Sequence, residues 1–227
     1  MVNAGMQPRS GRVIPNGGEE TQFRVLPDAE TDGFRRNLGL GEGRILLTVG
    51  NVSERKGQDI VIRALPRVLK SFPQTHYLIV GLPTKRRELE ALALELGVRK
   101  HVHLFGKVSN DELVRYLNSC DVFLLTSRHA HDGDCEGYGI AVVEAALCGK
   151  PAIVSSGSGL AEAIVHDQTG FAVPEGDVRA TAEAILVMLS DDELRERMGQ
   201  AAFQRASHEQ TWSSRVKEYD ELLRSFC

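Results

Sequence analysis

Two acidic side chains, Glu136 and Glu144, stand eight residues apart across the glycine-bearing run Gly137-Tyr138-Gly139-Ile140. Just before them come His129, His131, Asp132, Asp134 and Cys135. Three chemistries suit such a set: a metal centre, a pair of catalytic carboxylates, or a grip on an extended ligand. A metal centre needs ligands held by rigid elements and a second shell. These donors mix hard and soft types on one glycine-containing loop, so no functional metal is expected. For the two glutamates, a continuous helix puts about 12 Å of axial rise between them. A glycosidase pair requires carboxyls roughly 5–9.5 Å apart. The spacing fits residues that hold two ends of one ligand, with free backbone N–H groups at the helix start between them.

Glu144 is flanked by Val143, Ala145, Ala146 and Leu147, in a helix expected to be largely buried. A carboxylate there requires a partner, and a diol offers two hydroxyl donors; a charge on an open helix face is the alternative. Upstream, Gly50 and Asn51 end a strand, and Arg55 and Lys56 lie near the start of a helix, where an anion is favoured. The pair suits a diphosphate. It equally suits a solvated turn, and the spacing leaves both open. The segment lacks the patterns of a nicotinamide fingerprint or a P-loop, which argues against a dehydrogenase or an ATPase. Gly157 and Gly159 offer a possible backbone nest, although a plain strand-to-helix turn explains them as well. Gly106, Lys107 and Val108 follow a third strand, where backbone could meet the edge of a base, a weak signal by itself.

These residues need a scaffold, and the alternation along the chain supplies one. Strands are expected at 44–50, 76–81, 101–106, 121–127, 151–156 and 169–174, each a short apolar run. Between them Val61, Leu65, Val68, Leu69 and Phe72 make a helical stripe, and helices are expected at 85–97, 109–120, 137–149 and 159–167. Ser109 with Glu112 forms a capping box. The tail after Asp177 reads as three helical pieces. The fold class is therefore α/β: a Rossmann-like, mostly parallel six-stranded sheet with helices on both faces. Ligands of such sheets sit beyond the carboxyl ends of the strands, where every motif above lies. Residues 1–42 carry turn signals at Pro15-Asn16-Gly17 and near Pro27, then a short helix. They read as linker, leaving 43–227 as the domain proper.

Totals narrow the class. The chain has 227 residues and a formal net charge of -4, the wrong sign for a bulk nucleic-acid binder. No apolar run is long enough to span a bilayer, and the first twelve residues do not form a signal peptide. Four cysteines without a paired spacing read as reduced thiols, in keeping with a cytoplasmic setting.

The runs "VGNVSERKG" (49–57), "CEGYGIAVVEAALCGKPAIVSSGSGLAEAI" (135–164) and "TGFAVPEGD" (169–177), in that order, resemble the C-terminal half of the group 1, family four, retaining glycosyltransferases of GT-B fold. The run "VIPNGGEETQFRV" (13–25) resembles the segment joining their two halves. The resemblance implies a domain that binds a nucleoside diphosphate sugar, in an enzyme moving a hexose to an acceptor hydroxyl during cell-envelope or polysaccharide synthesis. It implies catalytic roles for Glu136, against the donor sugar, and Lys56, on the diphosphate. Gly137, Tyr138, Gly139 and Ile140 would present backbone to sugar and diphosphate, Glu144 would hold the ribose hydroxyls, and Gly106, Lys107 and Val108 would lie near the base. Gly50, Asn51 and Arg55 complete the expected donor site. Where the family commonly carries Arg after the first-strand glycine, this chain has Asn51, which Arg55 would have to offset. The resemblance implies neither metal nor cofactor, and an N-terminal acceptor domain outside these residues, without which transfer would fail. It makes the last helix, with Trp212 and Tyr219, the one that crosses back to that domain. Peripheral contact with the inner membrane would belong to the whole enzyme. Two rivals are a binding or assembly module without turnover, and a sugar-nucleotide epimerase, for which the chain shows no acid–base pair.

Overall fold

The computed structural model describes residues 12–130 and 136–225. Six strands, β1 (Ile45–Val49), β2 (His76–Val80), β3 (Val102–Phe105), β4 (Val122–Leu125), β5 (Ala152–Ser155) and β6 (Gly170–Val173), form one sheet. Its order is β3-β2-β1-β4-β5-β6. Every pairing is parallel, so the sheet is wholly and not just mostly parallel. Leu47 pairs with Leu78 on one side and Phe123 on the other, so the strand order reverses about β1. A crevice opens at such a reversal, between the carboxyl ends of the two diverging strands.

The helices are α1 (Asp28–Asn37), α2 (Gln58–Ser71), α3 (Arg86–Glu95), α4 (Asn110–Ser119), α5 (Ile140–Leu147), α6 (Leu160–Ala163), α7 (Val178–Ser190), α8 (Asp192–Glu209) and α9 (Trp212–Arg224). Alternate side chains of each strand feed two cores. Ile45, Leu47, Leu78 and Phe123 pack with α4, α5 and the end of α8. Leu46, Tyr77, Ile79 and Leu124 pack with α2, α3 and α7. Each such side chain is fully buried, worth about 1.5–3 kcal/mol in apolar area removed from water. Thr48 is the one polar residue of β1. Its hydroxyl donates to Leu124 O at 2.8 Å and accepts from the Tyr77 hydroxyl at 2.8 Å, lacing three strands together.

The expected capping box is formed: Glu112 N donates to Ser109 Oγ, and Ser109 N to the Glu112 carboxylate at 3.0 Å. The three tail helices start at side-chain caps from Asp177, Asp191 and Thr211. The segment ahead of β1 joins the same core. Phe23 and Leu26 are buried in it, and Leu26 N donates to Asn118 Oδ1 at 2.8 Å. Gly18 pairs with the link between α8 and α9: Gly18 N donates to Gln210 O at 2.7 Å, and Trp212 N to Gly18 O at 3.0 Å. None of the described helices is long and apolar enough to cross a membrane.

Candidate functional site at the strand reversal

The loops that leave β1 and β4 are fastened to each other. After Gly50 the chain makes a single 3-10 turn, Glu54–Lys56, and enters α2 through Gly57 at φ 65°. A side chain on Gly57 would put Cβ 1.9 Å from Thr126 O, so only glycine allows this approach. Thr126 Oγ1 donates to Gly57 O at 2.8 Å, and Arg128 N to Arg55 O at 2.8 Å. Arg128 also grips Asp59 of α2 with both terminal nitrogens, at 3.0 and 3.1 Å.

This fastening holds Arg55 and Lys56 over the path of the β4–α5 loop, where Glu136 meets them. One oxygen of Glu136, Oε2, accepts from Arg55 Nη1 at 2.5 Å and lies 2.7 Å from Lys56 Nζ. Ser127 Oγ, at 3.4 Å, completes the surround of that oxygen. The Lys56 stem lies over Gly50: a Cβ there would be 3.1 Å from Lys56 Cε. All three charged side chains are mostly buried. Among the described residues, two cations and one carboxylate converge at this point, and a phosphate that reached it would meet both cations.

Gly137, Tyr138 and Gly139 lead from this cluster into α5. Gly139 is left-handed, φ 71°, and rests on Leu160, while Gly159 of the next loop meets Gly137 O. The Tyr138 side chain turns to the α8–α9 link, where its hydroxyl accepts from Gln210 Nε2 at 2.5 Å. Its backbone therefore remains at the helix start while its ring serves elsewhere. Ile140 is exposed at the first position of α5, and Glu144 lies one turn further on the same side. Glu144 has no hydrogen-bond or ion-pair partner among the described residues, and burial pushes its carboxyl up to about 7. An unpartnered, desolvated carboxylate is costly unless a ligand supplies donors.

The remaining expected residues lie apart from the charged cluster. Asn51 is exposed, and its Oδ1 accepts from Leu82 N at 3.3 Å, so the amide braces the neighbouring loop. Gly106, Lys107 and Val108 follow β3, the edge strand, with β2 between them and β1. Gly106 O accepts from Gly81 N, Lys107 is exposed, and Val108 packs against the core that contains α5.

His131, Asp132, Asp134 and Cys135 lie outside the described residues. His129 is held by Glu175, which accepts from its backbone N–H at 2.7 Å and lies 2.8 Å from its ring Nδ1. Burial raises the Glu175 pKa, but the bonds from His129 outweigh it and the net shift is down. The same carboxylate approaches Gly157, where a Cβ would be 2.5 Å from Oε2, so that turn already faces an anionic group. Among the described residues, no three His, Cys, Asp or Glu side chains are arranged to hold a metal. Sequence reasoning missed Ser127, Glu175 and the Asp59–Arg128 pair. Of these only Ser127, at the end of an apolar strand, carries a local signal.

A reversing parallel sheet with cations, a glycine-lined helix start and, among the described residues, an unpaired carboxylate at its carboxyl edge is an α/β architecture that suits a phosphorylated ligand. The model for the family "Glycosyl transferases group 1" matches residues 30–205. The chain belongs to that family. It is 33% identical over 211 residues to a GDP-mannose-dependent alpha-(1-6)-phosphatidylinositol monomannoside mannosyltransferase of Mycolicibacterium smegmatis, covering 92% of this chain and 55% of that protein. It is 38% identical over 149 residues to the amylovoran biosynthesis glycosyltransferase AmsK of Erwinia amylovora, covering 65% and 36%. Among solved structures, Anabaena HepE in complex with UDP superposes with TM-score 0.87 at 26% identity, over 99% of this chain and 60% of that one. The chain thus spans about half the length of the curated relatives it matches. The fold is the one shared with GT-B glycosyltransferases, and the domain is the donor-binding half of a group 1 glycosyltransferase.

Proposed function

We propose that the chain holds a nucleoside diphosphate hexose for a transferase that retains the configuration at the anomeric carbon. The observation that carries this is the convergence of Arg55 and Lys56 on one point beside the Gly137–Gly139 helix start. Glu144, half-buried and without a partner among the described residues, lies one turn along. Lys56, Arg55 and the α5 amides would neutralise the diphosphate, Glu136 would take a sugar hydroxyl, and Glu144 the ribose diol. Gly106, Lys107 and Val108 would border the base. Relatives support the donor class: a GDP-mannose-dependent mannosyltransferase in sequence, and HepE in complex with UDP-glucose in structure.

In the reaction so read, the bond between the anomeric carbon and the diphosphate oxygen breaks, and the electron pair leaves with the diphosphate. The acceptor oxygen bonds to the same face, and its proton passes to the departing phosphate oxygen. Among the described residues, no carboxylate is an evident nucleophile on the opposite face, so front-face attack is the preferred route. The chain's cations stabilise charge that develops on the leaving group.

Transfer would need an acceptor domain beyond these residues. Trp212, Val216 and Tyr219 of α9 are 40%, 61% and 46% exposed on one helix side, which supports that docking. A lipid-linked acceptor, as in the names of the mannosyltransferases, would set the whole protein at a membrane surface. The same apolar stripe also supports a second reading, a non-catalytic module completed by a separate partner chain.

The test compares nucleoside diphosphate and pyrophosphate binding by Glu144→Ala. Diphosphate nucleotide affinity should fall about tenfold or more, with pyrophosphate little changed. Equal loss of both would remove Glu144 from the ribose.

A further inference from the structure

Between Gly137 and Ile140 only one side chain is present, that of Tyr138, and glycine stands on either side of it. Such a loop has little stiffness of its own. A Cβ on Gly137 would meet nothing within 4 Å, so that side gives no support. Gly139 rests on Leu160 and Gly137 O on Gly159, and the one side-chain tether of the loop is the Tyr138 ring. Its hydroxyl accepts from Gln210 Nε2 at 2.5 Å and lies 3.4 Å from Arg215 Nη2, with the Arg215 guanidinium 6.0 Å from the ring centroid.

Both partners are themselves immobilised. Gln210 is 1% exposed, its side chain donates as well to Ala163 O at 3.1 Å, and its backbone carbonyl accepts from Gly18 N. Arg215 is the one buried residue of α9, and its Nη1 donates to Glu218 Oε1 at 2.6 Å. The other oxygen of Glu218 meets Arg12 Nη2 at 3.1 Å. Arg215 Nε is buried without a hydrogen-bond partner among the described residues, so this guanidinium sits in Tyr138's neighbourhood at a cost.

We propose that Gln210 and Arg215 are positioning residues for the donor site, acting through the Tyr138 hydroxyl on the backbone from Gly137 to Ile140. The α8–α9 link, to which the segment around Gly18 is paired, thereby sets the amides that face the diphosphate. A shift of the link would reach the donor loop through one phenol. This rests on the donor reading above, and the test separates the two.

The variants are Tyr138→Phe, which keeps the ring, and Gln210→Ala. Titrations use whichever of UDP, GDP and ADP binds the wild type, beside the matching monophosphate. Both variants should lose about five- to tenfold in diphosphate affinity and under twofold for the monophosphate, and the double variant should lose no more than either alone. A purely structural role would lower thermal stability without changing the ratio of the two affinities. Amide exchange at Gly139 to Val142 is read in the same variants without ligand, and should be faster than in the wild type. Unchanged exchange, or equal loss for both nucleotides, overturns the proposal. If the wild type binds no nucleotide, the donor reading fails, and exchange alone still decides the coupling.

Discussion

Glu136 Oε2 lies 2.7 Å from Lys56 Nζ and 2.5 Å from Arg55 Nη1, so one carboxylate oxygen engages both cations of the site. A diphosphate that reaches Lys56 and Arg55 competes with that oxygen. Glu136 thus has two allegiances: the cations, and the hydroxyl of a donor sugar.

Glu136→Gln should separate them. With the competing charge gone, a nucleoside diphosphate should bind a few-fold more tightly, since the cations lose an anionic partner. The corresponding nucleotide sugar should gain less or bind more weakly, having lost its acceptor for a sugar hydroxyl. Calorimetry with both ligands on wild type and variant reads the difference. Equal tightening for the two would remove the sugar contact.

Glu144 gives a pH dependence to both binding and stability. Burial raises its carboxyl to about 7 from 4.5. A ribose diol donates to the ionised form, so nucleotide affinity should fall as pH drops from 8 to 5.5, and Glu144→Gln should flatten that profile. In folding, the native state holds the proton more tightly than the unfolded chain between pH 4.5 and 7. This contribution is therefore fully present below pH 4.5 and is lost as pH rises through 7, by about 3–4 kcal/mol at most. Urea unfolding at pH 5 and pH 8 should show Glu144→Gln less sensitive to pH than the wild type. A wild-type profile unaffected by the substitution would contradict a desolvated carboxylate at Glu144.

Gly57→Ala tests the fastening of the β1 and β4 loops. The residue has φ 65°, and its Cβ would lie 1.9 Å from Thr126 O. Backbone strain and overlap should cost about 2–3 kcal/mol and displace the turn that carries Arg55 and Lys56. Thermal unfolding should show the loss, and nucleoside diphosphate affinity should fall with it. Unchanged affinity in the folded variant would mean that the turn need not be held at β4.

The scaffold was legible because strand and helix each write a local period. All six strands fall within their expected runs, and Ser109 with Glu112 announces the start of α4. The charged cluster was half legible. Arg55, Lys56 and Glu136 could be named from glycine-rich strand ends, but they are 81 and 80 residues apart in pairing, and nothing local says that they touch. Glu175 on His129, and Tyr138 on Gln210, were invisible for the same reason: each contact joins segments that only the assembled sheet brings together. The sequence pointed to the backbone of Tyr138; the destination of its ring depends on how α8 hands over to α9.

The most direct measurement is a calorimetric titration of UDP, GDP and ADP, at pH 8, into the wild type and Lys56→Ala. One of the three should bind the wild type, and the variant should lose about 10- to 100-fold, the worth of a charge-assisted contact to phosphate. The corresponding nucleoside should be indifferent to the change. A folded wild type that binds none of the three, or a Lys56→Ala chain that binds them equally well, would contradict a donor diphosphate seated on Lys56.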